Sequence, residues 1–173
     1  KYKELVNEDN TSIKLYTNIE QNIPTYGENQ TIKEWVINSA GSFNAINDNW
    51  LESNNQGINS SMSIMNSIVD NSGILTFRWK VSSEAGYDKL IFAITESGIN
   101  LDTTWNTSNG GENSLYYESI DGISGNGEWL DVEIDLSSLN SNNKLLLQWV
   151  YIKDNVVDGN EDKGFLDNIV LTS

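Results

Sequence analysis

The chain has 173 residues, 25 of them acidic and 10 basic, for a formal charge of −15, and it contains no His and no Cys. That length supports one domain with a real core and is short for two, while the charge sets the chain against phosphate backbones and anionic lipid, so nucleic acid and membrane surfaces are poor partners. Without His or Cys there is no disulfide framework, no thiolate zinc site and no Ser-His-Asp or Cys-His relay, which leaves carboxylate chemistry, chiefly glycoside hydrolysis by an acid pair, as the enzyme class still open.

In chain order, KYKELVNEDN opens the sequence without a signal-peptide pattern, and no run of about 18 apolar residues follows anywhere. This reads as a module cut from a longer chain, with residues 1–18 a linker or leading strand and residues 19–173 the folded unit. ILTFRWKVS (74–82) alternates Leu75, Phe77, Trp79 and Val81 inward against Thr76, Arg78 and Lys80 outward. DKLIFAIT (88–95), SLYYESI (114–120), EWLDVEIDL (128–136), KLLLQWVYIK (144–153) and GFLDNIVLTS (164–173) continue the series, with Asn, Gly, Asp and Ser between them. The lone Pro24 and the scarcity of 3.6-residue patterning leave little room for long helices. The pattern predicts an all-β fold, an antiparallel two-sheet β-sandwich, with Trp50, Trp79 and Trp149 in its core.

Three stretches invite chemistry. In EWLDVEIDL, Asp131, Glu133 and Asp135 share one face with Trp129 while Leu130, Val132, Ile134 and Leu136 take the other. Half-buried antiparallel strands show this alternation without any active site, and no second acid motif accompanies the row, so its expected use is a solvated or sugar-contacting surface. In GFLDNIVLTS, the phase Phe165, Asp167, Ile169, Leu171 directs Asp167 inward, where a carboxylate needs a partner. With one arginine and no His in the chain, a hard cation such as calcium competes with a salt bridge or with backbone N–H donors for that place. KDNVVDGNEDKG (153–164) crowds Asp154, Asp158, Asn160 and Asp162 into one loop without the ligand order of an EF-hand, and reads by default as a solvated acidic hairpin. Trp105, Asn106, Asn109, Asn113 and Tyr116 place aromatic faces beside amides in the long 97–117 segment, a combination that suits sugar C–H surfaces and hydroxyls.

IEQNIP (19–24), SGILTFRWKVSSEAGYDKLIFAI (72–94), ISGNGEWLDVEIDLS (123–137) and LQWVYIKDNVVDGNEDKGFLDNIVL (147–171) together resemble the bacterial cleaved adhesin or choice-of-anchor modules, jelly-roll relatives of the MAM domain. The run FRWKVSSEAGYDKLIF carries the resemblance most specifically. It implies a non-catalytic, extracellular jelly roll, frequently holding structural calcium, in which the acid of the early segment and the Asp of the final strand meet at the ion. Those positions are Glu20 and Asp167, with Asn59, Asp88 and Asp154 as candidate loop ligands. The expected function is therefore an adhesion or carbohydrate-binding module of a larger secreted or surface bacterial protein. It would be stabilised by calcium, would recognise a glycan or a host or cell-surface protein, and would use Trp105, Asn106, Asn109, Asn113, Tyr116 and Trp129. The alternative is a calcium-binding spacer appended to a secreted hydrolase, with no ligand of its own.

Overall fold

The computed structural model describes residues 2–6, 12–16, 31–37, 50–96, 120–139, 144–156 and 158–172. Among these residues the chain forms β1 (Tyr2–Val6), β2 (Ser12–Tyr16), β3 (Thr31–Glu34), β4 (Val36–Ile37), β5 (Leu51–Glu52), β6 (Ser61–Val69), β7 (Ile74–Ser82), β8 (Lys89–Glu96), β9 (Ile120–Ile123), β10 (Leu130–Asp135), β11 (Leu145–Ile152) and β12 (Lys163–Thr172). A 3₁₀ turn, Leu136–Ser138, follows β10, and Asp135 caps it by accepting from the Ser137 N–H at 3.0 Å. The larger sheet runs β1-β2-β6-β11-β8-β9, with β3 also on β6; the smaller runs β10-β7-β12-β5-β4. The two-sheet sandwich expected from the alternation is the fold. One described pairing departs from the antiparallel expectation: β3 lies parallel to β6, from Thr31 opposite Ser61 to Glu34 opposite Ile64.

The sheets close on an aromatic core. Phe77 of the smaller sheet sits 4.9 Å from Phe92 and 5.5 Å from Trp149 of the larger one, centroid to centroid, and Trp79 lies 5.6 Å from Phe77. Such edge and tilted contacts add to the area that the rings bury. Leu75, Trp79, Val81, Leu90, Ile94, Leu147, Tyr151 and Leu166 fill the same layer. The far face of the larger sheet is apolar too, with Met62, Ile64, Ile91, Ala93, Val150 and Ile152 in a second buried cluster. A strand covered on both faces has no polar row to show, and that is why β11 reads LLLQWVYI with every residue buried.

Two facing assignments differ from the sequence reading. Trp50 is not in the core: it lies partly exposed, 6.4 Å from Trp129, and its indole N–H bonds Glu52 Oε1 at 3.0 Å. Asp167 does not point inward. β12 pairs Phe165 with Lys80 and Asp167 with Arg78, but its next pairs are Val170 with Thr76 and Leu171 with Leu75. Three steps on β12 match two on β7, so one extra residue is inserted there, and Asn168 takes φ 51° within it. The bulge exchanges the faces: Phe165 and Asp167 share the outer side with Lys80 and Arg78, while Ile169 and Leu171 return to the core. Period-2 reading carried through the bulge put all four residues on one face.

Candidate functional site

Two charged regions stand out, one at an end of the sandwich and one on the outer face of the smaller sheet. At the end, the inward rows of two neighbouring strands run on past their ladders. Ile152 of β11 is registered opposite Lys89 of β8, so the next positions, Lys153 and Asp88, extend the core-facing rows Leu147, Trp149, Tyr151 and Leu90, Phe92, Ile94. Both side chains are completely buried. Lys153 Nζ donates to Asp158 Oδ1 at 2.5 Å, to Asp162 Oδ1 at 2.6 Å and to Asp88 Oδ2 at 3.3 Å. Asp162 also accepts from Tyr151 Oη at 2.8 Å and from the Gly57 N–H at 2.6 Å. Burial works against the Lys153 ammonium, yet its hydrogen bonds to Asp158 and Asp162 and the charges of Asp88 and Asp162 outweigh it and hold its pKa above the ordinary lysine value. Burial, followed by the charge of Asp162, pushes the Tyr151 phenol up.

The loop that brings these groups together rests on a glycine. A Cβ at Gly159 would lie 2.7 Å from Glu84 Cα and 2.8 Å from Glu84 N, so only a residue without one lets the 154–162 loop settle on the turn after β7. Asn160 Nδ2 then bonds the Ser83 carbonyl at 2.8 Å, and the Glu161 N–H bonds Ser82 Oγ at 3.0 Å. The default reading of this loop as a solvated hairpin is overturned for Asp162, which is buried; Asp158 remains partly exposed.

Beside this network lies a second group of oxygens. Glu84, Asp88 and Asp154 each place a carboxylate oxygen within 4.8 Å of the others. Asp88 Oδ1 accepts the Asp154 N–H at 2.9 Å and Asp154 Oδ1 the Val156 N–H at 3.0 Å, whereas the buried Glu84 Oε2 has no hydrogen-bond donor among the described residues. Burial pushes the Asp88 carboxyl up to about 6, against the Asp154 N–H and the charge of Lys153. Hard anionic oxygens around an unsatisfied buried one could hold a metal ion. Asp88, Asp158 and Asp162 are also close enough to share an ion, but Lys153 already supplies the cation there.

Of the sequence-predicted metal ligands, the structure thus brings Asp88 and Asp154 together. Asn59 is exposed and precedes Ser60, whose N–H bonds the Asp154 carbonyl at 2.6 Å. Asp167 lies on the other region, where Arg78 takes the place that the reading gave to a cation: Nε and Nη2 both donate to Asp167 Oδ2, at 3.1 and 3.0 Å. Glu20 lies outside the described residues. Glu84 and Lys153 went unnoticed, although the core-facing parity of β11 marks Lys153 as a charge pointed inward.

On the outer face of the smaller sheet, Asp131, Arg78 and Asp167 sit side by side on β10, β7 and β12. The Arg78 guanidinium lies 4.5 Å from the centroid of the Trp129 ring, within cation–π range. Trp129 packs edge-on against Trp50 at 6.4 Å and Phe165 at 6.3 Å. Beside Arg78 a groove of about 400 Å³ lies between Asp131 and Glu133 on one side and Asn168 and Val170 on the other, with Thr76 and Arg78 also lining it. Trp129 was expected here. Trp105, Asn106, Asn109, Asn113 and Tyr116 lie outside the described residues.

No family model and no curated protein matches the chain. Among solved structures it is similar to the K1 cleaved adhesin domain of Lys-gingipain from Porphyromonas gingivalis W83, at 19% identity over 81% of this chain and 83% of that one, with a TM-score of 0.43. It is similar to a family 30 carbohydrate-binding module of a cellulosomal cellulase from Clostridium thermocellum, at 17% identity over 81% and 82%, with a TM-score of 0.39. A carbohydrate-binding module with specific mannan recognition shares 12% identity over 71% of this chain and 72% of its own, with a TM-score of 0.33.

Proposed function

We propose that this chain is a non-catalytic, extracellular β-sandwich module that binds a glycan on the outer face of its smaller sheet and is stabilised by calcium at Glu84, Asp88 and Asp154. The observation that carries the reading is the partly exposed pair Trp50 and Trp129, packed on the buried Phe165 and joined through Arg78 to a groove lined by hydroxyl, amide and carboxylate groups, the mixture of apolar faces and placed polar groups that a sugar needs. Against catalysis, Asp131 and Glu133 are both exposed, whereas the acid of a glycosidase pair is withdrawn from water. A three-carboxylate site with partly exposed members suits the weak calcium affinities of extracellular modules, about 10⁻⁴–10⁻³ M. Among the described residues no helix is long and apolar enough to cross a membrane. The charge of −15 disfavours nucleic acid. Other domains of a longer chain would place the module at a secreted enzyme or on a cell surface.

A calcium-stabilised spacer is the second reading, and it is favoured by how much of Trp129 is already engaged by Arg78, Trp50 and Phe165. Tryptophan fluorescence against a panel of soluble polysaccharides separates the two. A glycan module responds to at least one of them and loses the response in Trp129→Ala while staying folded; a panel without any response leaves the spacer. Calcium is tested by melting. A ligand at a hundredfold excess over Kd adds about 2.7 kcal/mol, and for a domain of this size each kcal/mol moves the midpoint by about 2–4 °C. Calcium should therefore raise Tm by about 5–10 °C over calcium-stripped protein. Asp88→Asn should abolish that rise and Asp167→Asn should not; equal melting with and without calcium ends the metal reading.

A further inference from the structure

The acids of the outer face are not equivalent. Asp135 is committed to its cap, accepting from both the N–H and the hydroxyl of Ser137, at 3.0 and 2.5 Å. Asp167 is committed to Arg78. Asp131 and Glu133 are exposed, have no ion-pair partner among the described residues, and are the two that line the groove. Taken together, Asp131, Arg78, Asp167 and Glu133 leave the groove with two negative charges in excess. A solvated charge row needs no cavity, but here the bulge at Asn168 breaks the flat surface beside the row, so that the two uncompensated carboxylates face Asn168 and Val170 across a space of about 400 Å³.

Resting on the reading of this face as a glycan surface, we infer that the groove selects oligosaccharides whose sugars carry free, protonated amino groups. The charge decides the class. A uronate or sulfated sugar meets two unpaired carboxylates on a chain of charge −15 and is repelled. A neutral pyranose can hydrogen-bond the Thr76 hydroxyl, the Asn168 amide and the two carboxylates, but it leaves both negative charges uncompensated. An ammonium makes the same kind of bond to Asp131 or Glu133 with charge on both partners, and so adds neutralisation of the excess charge to the hydrogen bond. Its neighbour along the chain would stack at Trp129, which is joined to the groove through Arg78.

The test compares glucosamine oligomers with N-acetylglucosamine oligomers of equal length, which share a skeleton and differ in the charge, by titration calorimetry at a pH that protonates the free amine. The free-amine oligomers should bind at least tenfold more tightly, and Asp131→Asn combined with Glu133→Gln should remove that advantage without removing residual binding. Because a polycation is drawn to any acidic protein, Asp70→Asn combined with Glu161→Gln deletes the same number of charges from exposed positions away from the groove, and this control should keep the preference. If the control loses as much as the groove variant, the attraction is general and the inference falls. If acetylated or other neutral glycans bind through Trp129 with no preference for amines, the inference falls and the glycan reading stands. If no glycan binds at all, both fall.

Discussion

At the end of the sandwich Lys153 is fully buried and divides its N–H groups among Asp88, Asp158 and Asp162, while on the outer sheet face Arg78 keeps 29% of its side chain exposed and gives two N–H groups to one oxygen of Asp167. Each is a cation amid carboxylates, yet they differ in what removing the cation does. At the buried end Asp88 and Asp162 cannot turn to water, so their charges hold loops in place. On the face the acids can be solvated, so the same charges are available to a ligand. Burial, more than the number of acids in a cluster, decides which charges are locked into the architecture and which stay open to a partner.

Lys153→Met probes the contrast at its strongest. Breaking a buried pair by deleting one partner costs about 3–5 kcal/mol, which for a domain of this size lowers Tm by roughly 6–20 °C. The variant leaves Asp88 and Asp162 buried without their cation, and calcium should recover part of the loss. A fall in Tm of less than about 3 °C would mean that backbone donors hold these carboxylates unaided and that the two regions are alike.

Acid gives the next largest effect, and its sign depends on calcium. Asp88 titrates near 6 in the folded chain against 3.8 for the ordinary carboxyl, so the folded state holds this proton more tightly. Its contribution to stability is fully present below pH 3.8 and is lost as pH rises through about 6, by about 3 kcal/mol in all. Lys153, held above its ordinary pKa, keeps its charge throughout that window. Calcium-stripped protein should thus gain stability relative to Asp88→Asn when taken from about pH 7 to about pH 5. The stabilisation by calcium, which needs the ionised carboxylate, should shrink over the same range. Parallel pH profiles for the wild type and Asp88→Asn would show that Asp88 is not the group that titrates.

Much of this was legible in the sequence, and what was not has identifiable physical causes. The alternation in ILTFRWKVS gave β7 and its facing residue by residue, and the same parity, carried one residue past β11, points to Lys153. Asp88 and Asp154, two of the three candidate loop ligands, do lie together, while Asn59 does not join them. The bulge was hidden, because Asn168 inserts a residue without any Gly or Pro to mark it, and Asp167 was turned the wrong way as a result. Trp50 was misplaced because a Trp after a loop looks the same in sequence whether it enters the core or folds over a sheet. Glu84 was missed because its place beside Asp88 and Asp154 comes from the packing of two loops, with Gly159, 75 positions away in the chain, against it.

Gly159→Ala tests that contact. A methyl group placed 2.7 Å from Glu84 Cα must displace backbone rather than a flexible side chain, and overpacking of this kind costs about 1–3 kcal/mol. Since the displaced turn carries Glu84 and leads to Asp88, calcium should stabilise this variant less than the wild type. Trp129→Ala, remote from the turn, should leave the calcium increment unchanged. An unaltered increment in Gly159→Ala would separate the loop packing from the ion site.

The smallest expected effect on stability lies on the outer face and completes the contrast. A partly exposed ion pair is worth about 0.2–1 kcal/mol, so a double-mutant cycle through Arg78→Met and Asp167→Asn should return a coupling in that range. Because water and salt reach the pair, the coupling should shrink further in high salt, while the same cycle through Lys153→Met and Asp88→Asn should give a larger coupling that salt barely changes. Arg78 nevertheless orients Trp129 through their 4.5 Å contact, so Arg78→Met should weaken glycan binding by more than its small change in stability accounts for. Arg78→Lys, which keeps the charge but loses the planar surface that stacks on the indole, should restore the salt-dependent part of the coupling without restoring the binding. Equal loss of stability from the Arg78 and Lys153 variants would show that the face is as much a part of the architecture as the buried end, and the proposed ligand surface would lose its basis.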